Sequence, residues 1–305
     1  MLSKLWDHDL AWSFRRSPVT VVAAALTLLC VAGAALAPWI APQDPFDLAA
    51  IELNDAFLPP VWADDGRAAY LLGTDNQGRD ILSTILHGAR VSLIVGLASV
   101  LFAMLFGVAA GLLAGYFGGR LDAFIMRVAD VQLSFPAFLI ALLITGISSG
   151  VIRTTLPTEA QDAAALAILV ISIGLSKWVD FARTVRGSTM VERNKEYVQA
   201  ARVIGRRPLA ILISHVLPNV MGPVLVIATI NIGLAIITEA TLSFLGVGVP
   251  STTPSLGTLI RVGNEFLNSG SWWITVFPGA ALVVLVLSVN LLGDWLRDAL
   301  NPKLR

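Results

Sequence analysis

Apolar residues in this chain gather into long runs separated by polar stretches. Six runs are close to the ~20 residues that a helix needs to cross about 30 Å of hydrocarbon. They are Val19–Ile40, Val91–Tyr116, Val128–Ser149, Ala163–Phe181, Leu212–Thr238 and Trp273–Leu296. Backbone N–H and C=O groups have no partner in lipid, so the runs predict helices and the chain reads as an all-α membrane protein with six transmembrane helices. The first run exceeds the ~7–15 apolar residues of a leader peptide. Pro38 directly follows the small-residue triplet Ala35–Ala37, so the run is expected to stay as the first transmembrane helix.

The polar stretches divide the chain further. Residues 1–40 form an N-terminal tail and the first helix, 41–90 an acidic loop, 91–296 a core of five helices, and 297–305 a tail. Within the core, residues 182–211 form a polar insertion between the fourth and fifth runs. Basic residues set the expected orientation. The acidic loop and the other connections on its side hold only Arg67, Arg79, Arg90, Arg153 and Arg261, while the remaining Lys and Arg fall on the opposite side. By the positive-inside rule both termini lie in the cytoplasm and the acidic loop lies outside. Trp272 and Trp273 are expected to anchor the start of the last helix at the interface.

Composition agrees, with 56% apolar residues, 14% charged residues and a mean hydropathy of +0.76. The lone Cys30 excludes a disulfide framework. His8, His87 and His215 are too scattered for a histidine metal site. Net charge is zero, and no nucleic-acid partner is expected. Asp130, Asp180, Glu239 and Asp294 fall near the ends of their runs, where the membrane interface accounts for them better than a proton relay does. A Ser, His and Asp set suggestive of a hydrolase is absent.

Two features carry candidate function. The second run has a small residue at every fourth position, Ser99, Ala103, Gly107, Gly111, Gly115 and Gly119, which makes one face smooth. Such a face suits close helix packing, with a backbone-lined solute path as the lesser reading. The insertion reads as helix, turn, helix. Tyr197, Ala200, Ala201 and Ile204 form a short apolar stripe, Gly205 supplies a left-handed stop, Pro208 suits a first helical turn, and Pro218 bends or breaks the helix that follows. Physics alone leaves two readings open: a surface helix lying among anionic headgroups, or a docking element for a partner's groove.

The insertion also carries a resemblance. "QAARVIGRRPLAILISHVLP" is similar to the EAA loop of ABC importer permeases, with Ala200, Ala201, Gly205, Leu217 and Pro218 at the matching positions. Gln199 stands where the pattern has Glu, and His215 where it has Ile. The blocks "LLGTDNQGRDILSTILHGARVSL", "GYFGGRLDAFIMRVADVQLSFPAFLIAL", "TEATLSFLGVGVPSTTPSLGTLI" and "NLLGDWLRDALNPK" resemble the C-type subunit of dipeptide and oligopeptide permeases. In "GTDNQGRD", Gly73 and Gly78 suit a turn and Asp80 suits the cap of a helix starting at Ile81. "FLGVGVPSTTP" (residues 244–254) is too broken for a span and is expected to pack as an irregular outer segment.

The resemblance implies a type I ABC importer permease fold with a cytoplasmic coupling-helix loop, in a bacterial inner membrane. It also implies a B-type permease partner, two ABC ATPase subunits and an extracytoplasmic solute-binding protein, with membrane lipid around the whole. None of the four lysines follows a glycine, so the chain has no phosphate-binding loop of the G-x-x-x-x-G-K-[ST] kind. ATP and Mg are therefore expected on the partner ATPases, with no cofactor and no catalysis on this chain. A secondary transporter driven by an ion gradient is the alternative.

Overall fold

A computed structural model describes residues 13–47, 51–250 and 253–300. The N-terminal residues including Lys4 and His8, part of the "STTP" stretch, and the end of the tail with Lys303 and Arg305 lie outside the described residues. The principal α-helices among the described residues follow in order. They are α1 (Pro18–Ile40), α2 (Ile81–Phe117), α3 (Gly119–Leu133), α4 (Ala137–Thr155), α5 (Thr158–Glu192), α6 (Glu196–Val203), α7 (Pro208–Phe244), α8 (Leu256–Phe266) and α9 (Trp273–Leu300). Among the described residues five of these, α1, α2, α5, α7 and α9, are long and apolar enough to span a membrane, and the bent pair α3–α4 meets the same length and hydropathy only when taken together as one span.

That bend corrects the third run. Val128–Ser149 is not one straight helix: α3 and α4 meet at 88°. The chain turns at Ser134-Phe135-Pro136, where Pro136 has no N–H to continue α3 and disfavours helical geometry in the residue before it. Hydropathy passes over the turn because Phe135 and Pro136 interrupt the run with no charge.

α2 is the axis of the bundle. Its 37 residues span about 55 Å, well beyond the hydrocarbon thickness. It begins ten residues before the apolar run does, at the Asp80 cap, whose carboxylate accepts from Ser83 N at 2.7 Å. α5 lies along one side of it and α7 along another, and α1, α8 and α9 close round its first half. Gly107, Gly111 and Gly115 make the α2–α5 contact. A Cβ at Gly111 would stand 2.5 Å from Ala182 O, one at Gly115 2.8 Å from Arg186 O, and one at Gly107 would strike Trp178 O. The smooth face is thus filled by α5. Gly119 does not continue it: α2 ends at Phe117, Gly118 and Gly119 both take positive φ, and nothing lies within 4 Å of a Cβ placed on Gly119.

The acidic loop folds into a cap over the start of α2, α8 and α9. Gly73 and Gly78 turn the chain at φ +84° and +81°. Thr74 N donates to Leu58 O and Leu58 N returns a bond to Thr74 Oγ1, while a buried Arg79–Asp75 pair at 2.7 Å closes the turn. Asp55 takes Arg67 and the Tyr70 hydroxyl. Phe57 packs edge-on to Phe266 and Trp62 to Phe277. Trp273 belongs to this cap rather than to lipid: it is 8% exposed and its indole N–H donates to Thr74 O at 3.0 Å. Trp272 is exposed.

Glu239 is the second correction. Asp130, Asp180 and Asp294 are exposed, but Glu239 is 0% exposed within the bundle. α7 runs on to Phe244, past the end of its apolar run, so Glu239 sits inside the helix where α2 and α8 cover it. Ser92 Oγ on α2 donates to one carboxylate oxygen and Ser243 Oγ to the other, both at 2.7 Å. Each serine oxygen in turn accepts a backbone N–H from the irregular segment after α7: Val249 N on Ser243 at 3.1 Å and Leu256 N on Ser92 at 3.4 Å. The carboxylate takes both hydroxyl protons, which turns the serine lone pairs towards those backbone groups. A buried carboxyl group thereby fixes a stretch of non-helical chain.

Two stability predictions follow from these contacts. Gly111→Leu forces α5 off α2, and its melting temperature in detergent is expected to drop sharply against Gly187→Ala, a helical position on α5 where a Cβ meets no neighbour; equal melting would refute the packing account. Glu239→Ala leaves two buried hydroxyls without their acceptor and is expected to cost about 2–4 kcal/mol, with Glu239→Gln intermediate because its amide oxygen still accepts. Chemical denaturation of the purified chain reads the order, and an alanine variant as stable as wild type would contradict it.

Candidate functional site

The end of the bundle opposite the cap carries α6 and the start of α7. α6 is eight residues long, too short to be stable alone, so its neighbours must hold it. Val198 and Ala201 are buried one turn apart and join the core with Ile211, Leu212 and Val216. This is not quite the stripe that spacing suggests. Tyr197 and Ala201 face inward, whereas Ala200 and Ile204 are exposed.

Gly205 ends α6 at φ +79°. Arg206 N donates to Ala201 O at 3.1 Å and Gly205 N to Arg202 O at 2.9 Å. This paired closure of a helix end on a left-handed residue is the Schellman motif. Pro208 starts α7, and a π-helical turn over Leu212–Val216 precedes Leu217 and Pro218. The wider turn absorbs the missing N–H of Pro218, so the helix continues rather than breaking. Leu217 packs against the core, and Pro218 is exposed.

Polar contacts fasten α6 on two sides. Towards α2, the Arg193 guanidinium donates to Gly115 O at 2.8 Å and Tyr116 O at 3.3 Å, which places a cation on the unpaired carbonyls at the negative end of that helix. Arg202 lies 5.0 Å from the centre of the Tyr116 ring. Towards α7, the Tyr197 hydroxyl donates to Glu192 and accepts from Asn219 Nδ2 at 3.2 Å, while its ring stacks on His215. Lys195 pairs with the other Glu192 oxygen at 2.6 Å. Burial first, and then the hydrogen bond and charge of Glu192, push the Tyr197 phenol up to about 12, so it stays protonated and keeps donating. None of these partners is visible from spacing, because Glu192, Tyr197 and Asn219 sit on three different helices.

Beyond this anchored base the chain protrudes. Every residue from Arg202 to Leu209 is exposed, including Val203 at 88% and Ile204 at 79%. The protruding turn thus presents Val203, Ile204 and Leu209 among Arg202, Arg206 and Arg207. Contiguous exposed apolar side chains with a basic rim mark an interaction surface. Gln199 lies beside it, exposed, with its amide donating to Asn194 O at 3.0 Å. Ala200, Gly205 and Pro218 are exposed, Ala201 is buried and Leu217 partly so; Gly107 and Gly111 lie well along α2, away from this turn. Gly115 touches it indirectly through Arg193.

Known proteins resemble the chain over its whole length. The family described as "Binding-protein-dependent transport system inner membrane component" matches residues 107–305, and "N-terminal TM domain of oligopeptide transport permease C" matches residues 4–60. The di/tripeptide transport system permease protein DppC of Pseudomonas aeruginosa (strain UCBPP-PA14) is 39% identical over 91% of this chain and 86% of its own length. The dipeptide transport system permease proteins DppC of Haemophilus influenzae (strain ATCC 51907 / DSM 11121 / KW20 / Rd) and Escherichia coli (strain K12) are 39% and 38% identical. They cover 100% of this chain and 95% and 94% of their own. Among solved structures, an inward-facing form of the MetNI methionine ABC transporter superposes with a TM-score of 0.53 at 18% identity, over 72% of this chain and 96% of that one, which shows the shared fold. The chain belongs to the binding-protein-dependent transport inner membrane component family and, within it, to the C-type permeases of dipeptide and oligopeptide systems, membrane-spanning subunits of ABC importers.

Proposed function

We propose that this chain forms one half of the transmembrane pathway of an ATP-driven importer of short peptides, and that the turn at Gly205 couples it to ATP hydrolysis on a partner. The protruding apolar turn on a braced base carries this reading. Val203, Ile204 and Leu209 suit a groove on an ATPase subunit, and Arg202, Arg206 and Arg207 suit acidic residues at its rim. Gln199 is uncharged, so a salt bridge from that position plays no part in docking.

The coupling is mechanical. A partner that moves α6 moves α2 through Arg202 and Tyr116, α7 through Tyr197 and Asn219, and the end of α5 through Tyr197 and Glu192, next to the Arg193 that grips α2. α2 and α7 are two of the three long helices of the bundle, packed on each other and on α5. The assembly comprises a B-type permease, two ATPase subunits that hold ATP and Mg, and an extracytoplasmic binding protein that delivers the peptide. Both termini and α6 face the cytoplasm of a bacterial cell, and the cap at residues 51–80 faces outward, consistent with the basic residues gathered at the α6 end.

Mass spectrometry of the gently solubilised, tagged chain tests the assembly. Two phosphate-loop ATPases and a second six-helix permease are expected to co-purify. A chain that comes out alone and transports in vesicles without ATP would instead be a secondary transporter. Gly205→Val tests the coupling: a β-branched residue at this left-handed position costs about 1–2 kcal/mol locally. The variant is expected to insert and fold while peptide uptake drops by about ten-fold, the factor that such a loss corresponds to. Uptake at the wild-type rate would rule out a coupling role for the turn.

A further inference from the structure

At the cap end, α4, α5, the irregular segment after α7 and α8 enclose a cavity of about 320 Å³. Its lining is unlike that of its neighbours. The two other gaps along α5 are walled almost wholly by aliphatic side chains, as lipid-facing clefts are. This one is lined by Thr145 and Ser149 from α4, Gln161 and Asp162 from α5, and Arg261 from α8. The irregular segment contributes its backbone, residues 246–250. Non-helical backbone near membrane depth is tolerated where it lines a water-filled cavity, and charged residues there mark a solute path.

Arg261 is the informative group. Its guanidinium lies against Gly246, where a Cβ would come within 2.8 Å of Nη1, so the glycine at φ +81° leaves the room that the guanidinium occupies. Among the described residues no carboxylate pairs with it, whereas Arg67, Arg79, Arg183 and Arg186 are all paired. An exposed guanidinium at the edge of a cavity, with no carboxylate pairing it among the described residues, is a fork for a carboxylate. The opposite walls have the opposite character. Thr145 and Ser149 donate their hydroxyl protons to Ala141 O and Gly146 O of their own helix, both at 2.8 Å, which leaves oxygen lone pairs for a cation. Asp162 also lines the α5 wall, already engaged in an interaction of its own. The volume lies at the lower end of the ~300–1,000 Å³ range of small-molecule sites.

We propose that this cavity is a receiving subsite for a short zwitterionic peptide, with Arg261 binding the C-terminal carboxylate and the α4–α5 wall facing the ammonium end. This rests on the peptide-permease reading and names the residues of this chain that would meet the solute. Glu239 supports the subsite without touching it, because the bonds from Ser243 and Ser92 fix the segment that carries residues 246–250 and the start of α8.

The test uses the full complex in proteoliposomes with its binding protein loaded with dialanine. It reads the peptide moved per ATP hydrolysed and the binding-protein concentration that half-saturates ATP hydrolysis. Arg261→Gln is expected to lower the transport ratio about ten-fold or more while half-saturation stays put, and Arg261→Lys to recover much of the loss. Ser149→Lys, which puts a cation on the wall that faces the ammonium end, is expected to lower the ratio by itself. Should Arg261→Gln fail to assemble with its partners, Ser149→Lys alone decides. A wild-type ratio in both variants overturns the proposal. So does a raised half-saturation at an unchanged ratio, which would place Arg261 on the binding-protein surface instead. If the wild-type complex hydrolyses ATP but moves no dialanine, the peptide reading itself fails and the subsite falls with it.

Discussion

Hydrocarbon offers no partner to a backbone N–H or C=O, and the arrangement of this chain answers that shortage at each level. Long helices satisfy their own backbone. The places where the chain leaves helical geometry within the bundle are each held by a specific device. At the α3–α4 bend the Gln132 amide donates to Leu175 O at 2.6 Å and its oxygen accepts the Trp178 indole N–H at 2.7 Å, tying the turn to α5. At the start of α7 a π turn accommodates Pro218. After α7 the Glu239 carboxylate, through two serines, holds the backbone of the irregular segment. A carboxyl group with no hydrogen bonds would be costly in that position; the two serine donors satisfy it.

Close approach is the complementary requirement. Lipid tails are as apolar as leucine, so helices in a membrane gain from backbone proximity and interdigitation rather than from escaping water. Gly107, Gly111 and Gly115 bring α2 and α5 together over two turns, and Gly257 lets α8 cross directly over Ala240 on α7. α2, held by α5 on one side and α7 on the other, can then transmit displacement along its length with little slack. Its two ends differ in kind: one is buried under the folded cap, and the other has its carbonyls gripped by Arg193.

The sequence made the spans legible because a run of about twenty apolar residues has few other solutions. Gly205 and Pro208 were legible for the same kind of reason, since a left-handed helix stop and a first-turn proline are demanded by backbone geometry whatever surrounds them. What spacing could not carry was any contact between helices. Glu239 reads as interfacial because its apolar run ends one residue earlier; only the serines of α2 and of its own next turn show that it is buried. Trp273 reads as a lipid anchor because a tryptophan at a span end usually is one, and Thr74, 199 residues away, changes its role. The acidic loop hid a folded cap for a similar reason, because the Thr74, Asp75 and Arg79 contacts belong to turn geometry and tertiary docking rather than to a periodic pattern.

The two ends of the molecule therefore divide the work by how their exposed groups are committed. At the α6 end the charged and phenolic side chains that brace the base are engaged with each other, and the apolar tip beyond them is left bare. A bare apolar tip on a braced base can take up a push without deforming, which suits force transfer. At the cap end the arrangement is inverted: Trp273 and Ile274 are buried beneath the cap and the irregular segment is fastened, while among the described residues Arg261 pairs with no carboxylate at a polar cavity. An uncommitted charge on a fastened wall suits a solute that arrives and must leave, because a charge already paired would have to break that pair first. On the proposed reading, mechanical input at one end and weak, reversible electrostatic contact at the other are joined by α2, α5 and α7, the helices that reach both.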